Sequence, residues 1–165
     1  MTLNRAGLRS KPSDSPEKAL QLALRFLGYR PRSEAEVRSH LARRGCSTAV
    51  AARTLEKLRS LAYVNDENFA RNWALSRAES RGYGPKRIAQ ELNAKGIGHS
   101  LIREILRETF AQGHEAQKAR TLLKRRFKNQ KLDDPKILLR AAAFLQRRGY
   151  SSEVVSDLLK QPVED

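Results

Sequence analysis

Cysteine is almost missing from this sequence. Cys46 is the only one in 165 residues, so no disulfide framework can form and a cysteine-rich zinc site lacks its ligands. That usage fits a reducing, cytoplasmic compartment. Aromatics are also scarce, with Trp73, five Phe and four Tyr, so a core must be built from Leu, Ile, Val and Ala, which favours packed helices. The amino-terminal segment Met1-Thr2-Leu3-Asn4-Arg5-Ala6-Gly7-Leu8 has no extended apolar stretch. No apolar run approaches the roughly 20 residues of a membrane span, so neither export nor a membrane is expected. His40, His99 and His114 have no metal-ligand spacing, Cys46 has no local histidine partner, and no phosphate-cradling glycine motif is present. An enzyme, a metal site and a cofactor are therefore not expected.

What the chain has in excess is positive charge. Lys and Arg total 33 against 18 Asp and Glu, a net charge of +15, far beyond the needs of solubility and enough to attract a polyanion at long range. Nucleic acid is the first partner class to consider; a generally cationic surface without a dedicated site is the alternative.

Helix signals run through most of the sequence. Residues 1–14 have little apolar periodicity and read as a mobile basic tail. Ser15-Pro16-Glu17 is a helix start, followed by Leu20, Ala23, Leu24 and Leu27 at helical spacing. Ser33-Glu34-Ala35-Glu36 has the form of a capping box, and Val37 and Leu41 form the apolar face of the helix it opens. Gly45 closes that helix, Ser47 caps the next, and Asp134-Pro135 marks a later start.

The same pattern returns twice. Leu41-Ala42-Arg43-Arg44-Gly45, Leu92-Asn93-Ala94-Lys95-Gly96 and Leu145-Gln146-Arg147-Arg148-Gly149 align on leucine, a basic residue and glycine. Apolar residues stand five and ten positions after each glycine (Val50, Leu101, Val154; Leu55, Leu106, Leu159), and Val37, Ile88 and Ala141 stand four before each leucine. The expected fold is all-α: three tandem three-helix, hairpin-like repeats at 15–64, 65–111 and 112–161, forming an elongated curved array, with a short tail at 162–165. A monomer is expected.

Three features are candidate binding elements. The run Lys118, Arg120, Lys124, Arg125, Arg126, Lys128 and Lys131 contains no acid between Ala116 and Leu132. On a helical wheel Lys118, Lys124, Arg125 and Lys128 lie opposite Ala119, Leu122, Leu123 and Phe127: a phosphate-binding stripe, or a merely solvated face. Gly82-Tyr83-Gly84-Pro85-Lys86-Arg87 predicts a helix starting at Pro85, whose free amides with Lys86 and Arg87 suit a phosphate or carboxylate; a plain interhelical turn is the competing reading. Arg43, Arg44, Lys95, Arg147 and Arg148 occupy equivalent repeat positions, as a spaced row along a polymer or as cations complementing helix dipoles. Helix-start positions such as Ser47-Thr48-Ala49 lack the Arg, Asn and Gln that read base edges, so DNA binding, single- or double-stranded, is expected to be non-sequence-specific. Phe69 and Trp73, at i and i+4, read as core.

The chain resembles the RecX regulators of the bacterial RecA recombinase. The likeness is carried by Arg30-Pro31-Arg32-Ser33 with Glu36, Val37, Leu41 and Gly45, by Tyr63-Val64-Asn65-Asp66-Glu67-Asn68-Phe69-Ala70, and by Gly82-Tyr83-Gly84-Pro85-Lys86-Arg87-Ile88 running on through Glu91-Leu92 to Lys95-Gly96-Ile97. It covers roughly residues 15–160, with the last third contributing least. The resemblance implies three tandem three-helix units. It also implies a protein that lies in the groove of the RecA–DNA filament and restrains recombinase ATPase, strand exchange and support of repressor self-cleavage, in DNA repair and the SOS response. A general DNA-binding protein without a recombinase target is the alternative.

Overall fold

A computed structural model describes residues 15–111, 113–128, 130 and 134–160; the tails expected at 1–14 and 162–165, and Lys131, lie outside these. Among the described residues all regular structure is helical, in nine helices. They group into two compact units, one ending at Asp66 and one beginning at Glu67.

The first unit contains α1 (Pro16–Leu27), α2 (Glu34–Arg43) and α3 (Thr48–Ser60). Each start follows from a side chain that satisfies free backbone donors. Ser15 accepts from the Lys18 N–H, with Pro16 at the first helical position, and Ser47 accepts from the Val50 N–H. At α2 the predicted capping box is complete: the Ser33 hydroxyl accepts from the Glu36 N–H at 3.2 Å and the Glu36 carboxylate accepts from the Ser33 N–H at 3.2 Å. The Glu34 N–H donates to the Asp66 carboxylate at 2.8 Å, so this acidic side chain, 32 residues on, adds a further cap to α2. Caps of this kind stabilise by about 1 kcal/mol each. Ala19, Ala23, Val37, Leu41, Leu55 and Leu58 form the core, with Cys46 packed among them.

From Glu67 onward the second unit contains α4 (Asp66–Ser80), α5 (Pro85–Ala94), α6 (His99–Thr109), α7 (His114–Arg126), α8 (Pro135–Arg148) and α9 (Ser152–Lys160). It has two cores. Phe69, Ala74, Ile88, Leu92, Ile102 and Ile105 build the one under α4–α6; Ala119, Leu123, Phe127, Ala141, Leu145 and Val155 build the one under α7–α9. Phe69 is buried and stacks on Trp73, as their spacing predicts.

The repeat seen in the sequence is a helix-closing device. The N–H groups of Cys46, Ile97 and Tyr150 donate five residues back to Leu41, Leu92 and Leu145, and those of Gly45, Gly96 and Gly149 donate three residues back to Ala42, Asn93 and Gln146. This is the Schellman pattern, which satisfies helix-end carbonyls through a left-handed residue, here glycine at φ 83, 77 and 88. The three leucines are fully buried and the residues after the glycines pack beside them. Val37, Ile88 and Ala141, one turn earlier, are fully buried too.

α3 closes by the same pair of bonds, Tyr63 to Leu58 and Ala62 to Arg59, but with Ala62 at φ 56 where glycine would be unstrained. A left-handed L-residue costs about 1–2 kcal/mol, partly offset by the entropy glycine loses on folding. Ala62→Gly is therefore expected to raise stability by about 0.5–1 kcal/mol, read as a higher urea midpoint at unchanged m-value.

Candidate nucleic-acid interface

The predicted helix start at Pro85 is present, with Gly84 as its cap. The donors at Gly84 and Lys86, however, are not open to a ligand. The Gly84 N–H donates to the Arg148 carbonyl at 2.8 Å and the Lys86 N–H to the Gly149 carbonyl at 2.9 Å. The amino end of α5 thus meets the carboxyl end of α8 head to tail. Orphan donors of one helix satisfy orphan acceptors of the other, and opposite ends of two helix dipoles face each other. The expectation that these amides hold a phosphate is corrected accordingly; the side chains of Lys86 and Arg87 are what this turn leaves exposed. The approach needs glycine on both sides. A Cβ on Gly84 would lie 2.6 Å from the Gly149 carbonyl, and one on Gly149 would lie 2.3 Å from the Arg87 nitrogen.

This joint gathers arginines from three helices and the turn that follows α4. Arg81 and Arg87, flanking the α4–α5 turn, and Arg125, Arg147 and Arg148, near the ends of α7 and α8, line a cleft of about 570 Å³ together with Ser80, Tyr83 and Phe144. Among the described residues no acid lines it. Arg87 reaches Glu91 at 3.8 Å, whereas Arg81, Arg125, Arg147 and Arg148 form no ion pair among the described residues. Arg148 is held in place: its guanidinium donates to the Arg81 carbonyl and lies 5.2 Å from the Phe144 ring centroid and 5.6 Å from that of Tyr83. Arg87 lies 5.5 Å from the Tyr83 ring on the same turn. Guanidinium groups are weakly hydrated, always charged and forked to match phosphate oxygens, and ring contacts fix them with little entropy left to lose. Concave walls concentrate their field.

Members of three sequence candidates, Arg87 of the α5 start, Arg125 of the α7 stripe and the Arg147-Arg148 pair, therefore converge here. Lys124, Arg125 and Lys128 are exposed, opposite the buried Ala119, Leu122, Leu123 and Phe127. Lys118 departs from the expected stripe: it is half-buried, with its ammonium 3.6 Å from Glu79. Lys95 caps the far end of α5, about 15 Å from the cleft by helix rise. Its ammonium lies 4.9 Å from the Trp73 ring, beside Arg77 at 4.1 Å, while Glu91 accepts from Trp73 Nε1 at 2.9 Å and Arg77 Nε at 2.8 Å. That cluster binds α4 to α5. Arg43 and Arg44 are exposed at the end of α2 in the first unit. Arg81, Tyr83 and Phe144 were not singled out as site residues. Phe144 had a signal, standing four residues before Arg148 on one helical face; Arg81 depends on how α4 ends and had none.

Family models for the first, second and third three-helix domains of RecX match residues 19–58, 65–106 and 114–159. The chain belongs to the RecX family. It is 32% identical to the regulatory protein RecX of Mycolicibacterium smegmatis over 96% of this chain and 93% of that protein. With the regulatory protein RecX of Mycobacterium ulcerans it shares 36% identity over 91% and 87%. The fold resembles the crystal structure of RecX from Lactobacillus salivarius, with a TM-score of 0.77 at 22% identity over 88% of this chain and 94% of that one. RecX proteins are regulatory proteins, not enzymes. No helix among the described residues is long and apolar enough to cross a membrane.

The arginines of the first unit leave a mark on His40. Its ring stacks on Phe26 at 4.1 Å, and burial, then Arg44, Arg43 and Arg32, hold its pKa below the ordinary value of 6.5. The unfolded chain therefore takes up this proton at higher pH than the folded one. The contribution to stability is whole above the unfolded value of about 6.5 and is lost as pH falls from there through the lower folded value. Between pH 7.5 and 5.5 thermal stability is expected to drop, and His40→Gln is expected to flatten the profile in that window.

Proposed function

We propose that this chain binds the phosphate backbone of DNA through the arginine cleft and the outer face of α7, and that it does so on a RecA–DNA filament whose activity it restrains. The cleft carries the phosphate half of this reading: five arginines and, among the described residues, no carboxylate partner for four of them and no acid in the wall. Such a site holds a backbone without reading bases, in keeping with non-sequence-specific binding. Family membership supports the regulatory half. Restraint of ATPase, strand exchange and coprotease function would follow if occupied phosphates and bridged subunits resist the rearrangements that each activity needs.

Arg87, Arg125, Arg147 and Arg148 are the expected principal contacts, with Lys86, Lys124 and Lys128 flanking them. Lys118 and Lys95 contribute less, because Glu79 and the Trp73 cluster already engage them. Arg43 and Arg44 form a separate exposed pair. Arg125→Ala with Arg147→Ala is expected to weaken binding to a single strand and to reduce the slope of log affinity against log salt by about 1.4, at roughly 0.7 per phosphate contact. An unchanged slope with intact helicity would remove the cleft from the interface.

The regulatory half is tested on recombinase ATPase with single-stranded DNA. Inhibition well below one protein per recombinase, unrelieved by added DNA, supports action on the filament. Inhibition that added DNA titrates away would leave a general DNA-binding protein instead.

A further inference from the structure

We propose that the arginine cleft is a clamp for several adjacent phosphates of a nucleic-acid strand, jointly owned by two three-helix domains, and that filling it locks the α5–α8 joint. The inference rests on the phosphate reading of the cleft. Arg81 and Arg87 come from the second domain and Arg125, Arg147 and Arg148 from the third, so neither domain holds the site alone. Empty, the cleft sets like charges against each other with no acid between them among the described residues, and that repulsion works to part the domains. What resists at the joint includes two backbone hydrogen bonds, the Arg148 guanidinium on the Arg81 carbonyl and near the Tyr83 ring, and the close contact of Gly84 with Gly149, with the Lys118–Glu79 ion pair adding to these between α4 and α7.

A polyanion reverses the sign. Charges on both walls are then drawn to one ligand, and whatever binds only the closed joint stabilises it by mass action. A lone phosphate neutralises too few of the five charges to do this, so the ligand class is a run of phosphates, from a strand or from a free oligophosphate. The coupling is reciprocal, and forcing the joint open must weaken binding.

Amide hydrogen exchange on the intact protein reads the joint directly, at the Gly84 and Lys86 N–H groups that donate to α8. Saturation with oligodeoxythymidylate is expected to slow both by about tenfold, while the Gly96 and Ile97 amides, paired within one domain, change less than about twofold. Tripolyphosphate and inorganic phosphate are the comparison probes. Slowing by oligodeoxythymidylate alone assigns the clamp to a strand. Equal slowing by tripolyphosphate assigns it to oligophosphates in general and supports the same device.

Gly149→Ala places a Cβ against Arg87 and wedges the joint, whereas Gly113→Ala incurs a similar left-handed backbone cost in open space. Affinity for oligodeoxythymidylate is expected to fall about tenfold in the first and less than about twofold in the second. Should Gly149→Ala fail to fold, exchange in the unmodified protein decides alone. Binding without slower Gly84 and Lys86 exchange overturns the clamp and leaves the phosphate reading standing; no binding by the unmodified protein overturns both.

Discussion

Two helix ends that would each strand polar groups away from water meet at Gly84 and Gly149 and satisfy one another. The second and third three-helix domains are held in register by that contact. It requires two residues without side chains, since a Cβ on either would sit inside 2.7 Å of the opposite backbone. Once it forms, the last turn of α8 and the turn before α5 occupy the same place, and the basic residues on each are brought together as a consequence. The arginine cleft is therefore a product of backbone hydrogen-bond bookkeeping as much as of charge.

The same contact changes the meaning of the cations at the end of α8. Lysine and arginine near a helix carboxyl terminus ordinarily complement exposed carbonyls. Here the carbonyls of Arg148 and Gly149 already accept from α5, so the guanidiniums of Arg147 and Arg148 are left to face the cleft. Tyr83 and Phe144 keep Arg148 from wandering. Tyr150 packs fully buried behind the joint, where burial and then the Glu115 carboxylate push its phenol up to about 12, so it stays neutral and adds no charge of its own. Elsewhere the molecule does the opposite with its cations. Arg59 forms a two-pronged pair with Glu34, Arg71 bridges Glu67 and Glu108, and Arg77 leans on Trp73 and Glu91. Structural arginines here have carboxylate partners; among the described residues the arginines of the cleft, Arg87 excepted, do not.

Much of the fold was legible in the sequence because it is local. A serine with a glutamate three residues on, a proline at a first helical position, and a leucine four residues before a glycine act over a single turn, and their geometry is set by neighbours in the chain. The all-helical class, the capped starts at Ser15, Ser33, Ser47 and Asp134, and the thrice-repeated closing turn are of this kind. Individual candidate residues were legible too, because surplus arginine without nearby acid is visible by inspection.

What tertiary structure alone decided is which of those residues share a surface. The Gly84 and Lys86 amides were read as free because a sequence shows the helix start but not the distant carbonyls, over 60 residues on, that take its donors. Lys118 was placed on an open stripe because a wheel shows its own helix but not Glu79 across the groove. The Asp66 carboxylate, at the start of α4, serves α2, 32 residues back, a partner that no local pattern shows. Local pattern fixes which backbone groups begin unsatisfied; only the packed chain decides which partner satisfies them, and with it which charges are left for something else to bind.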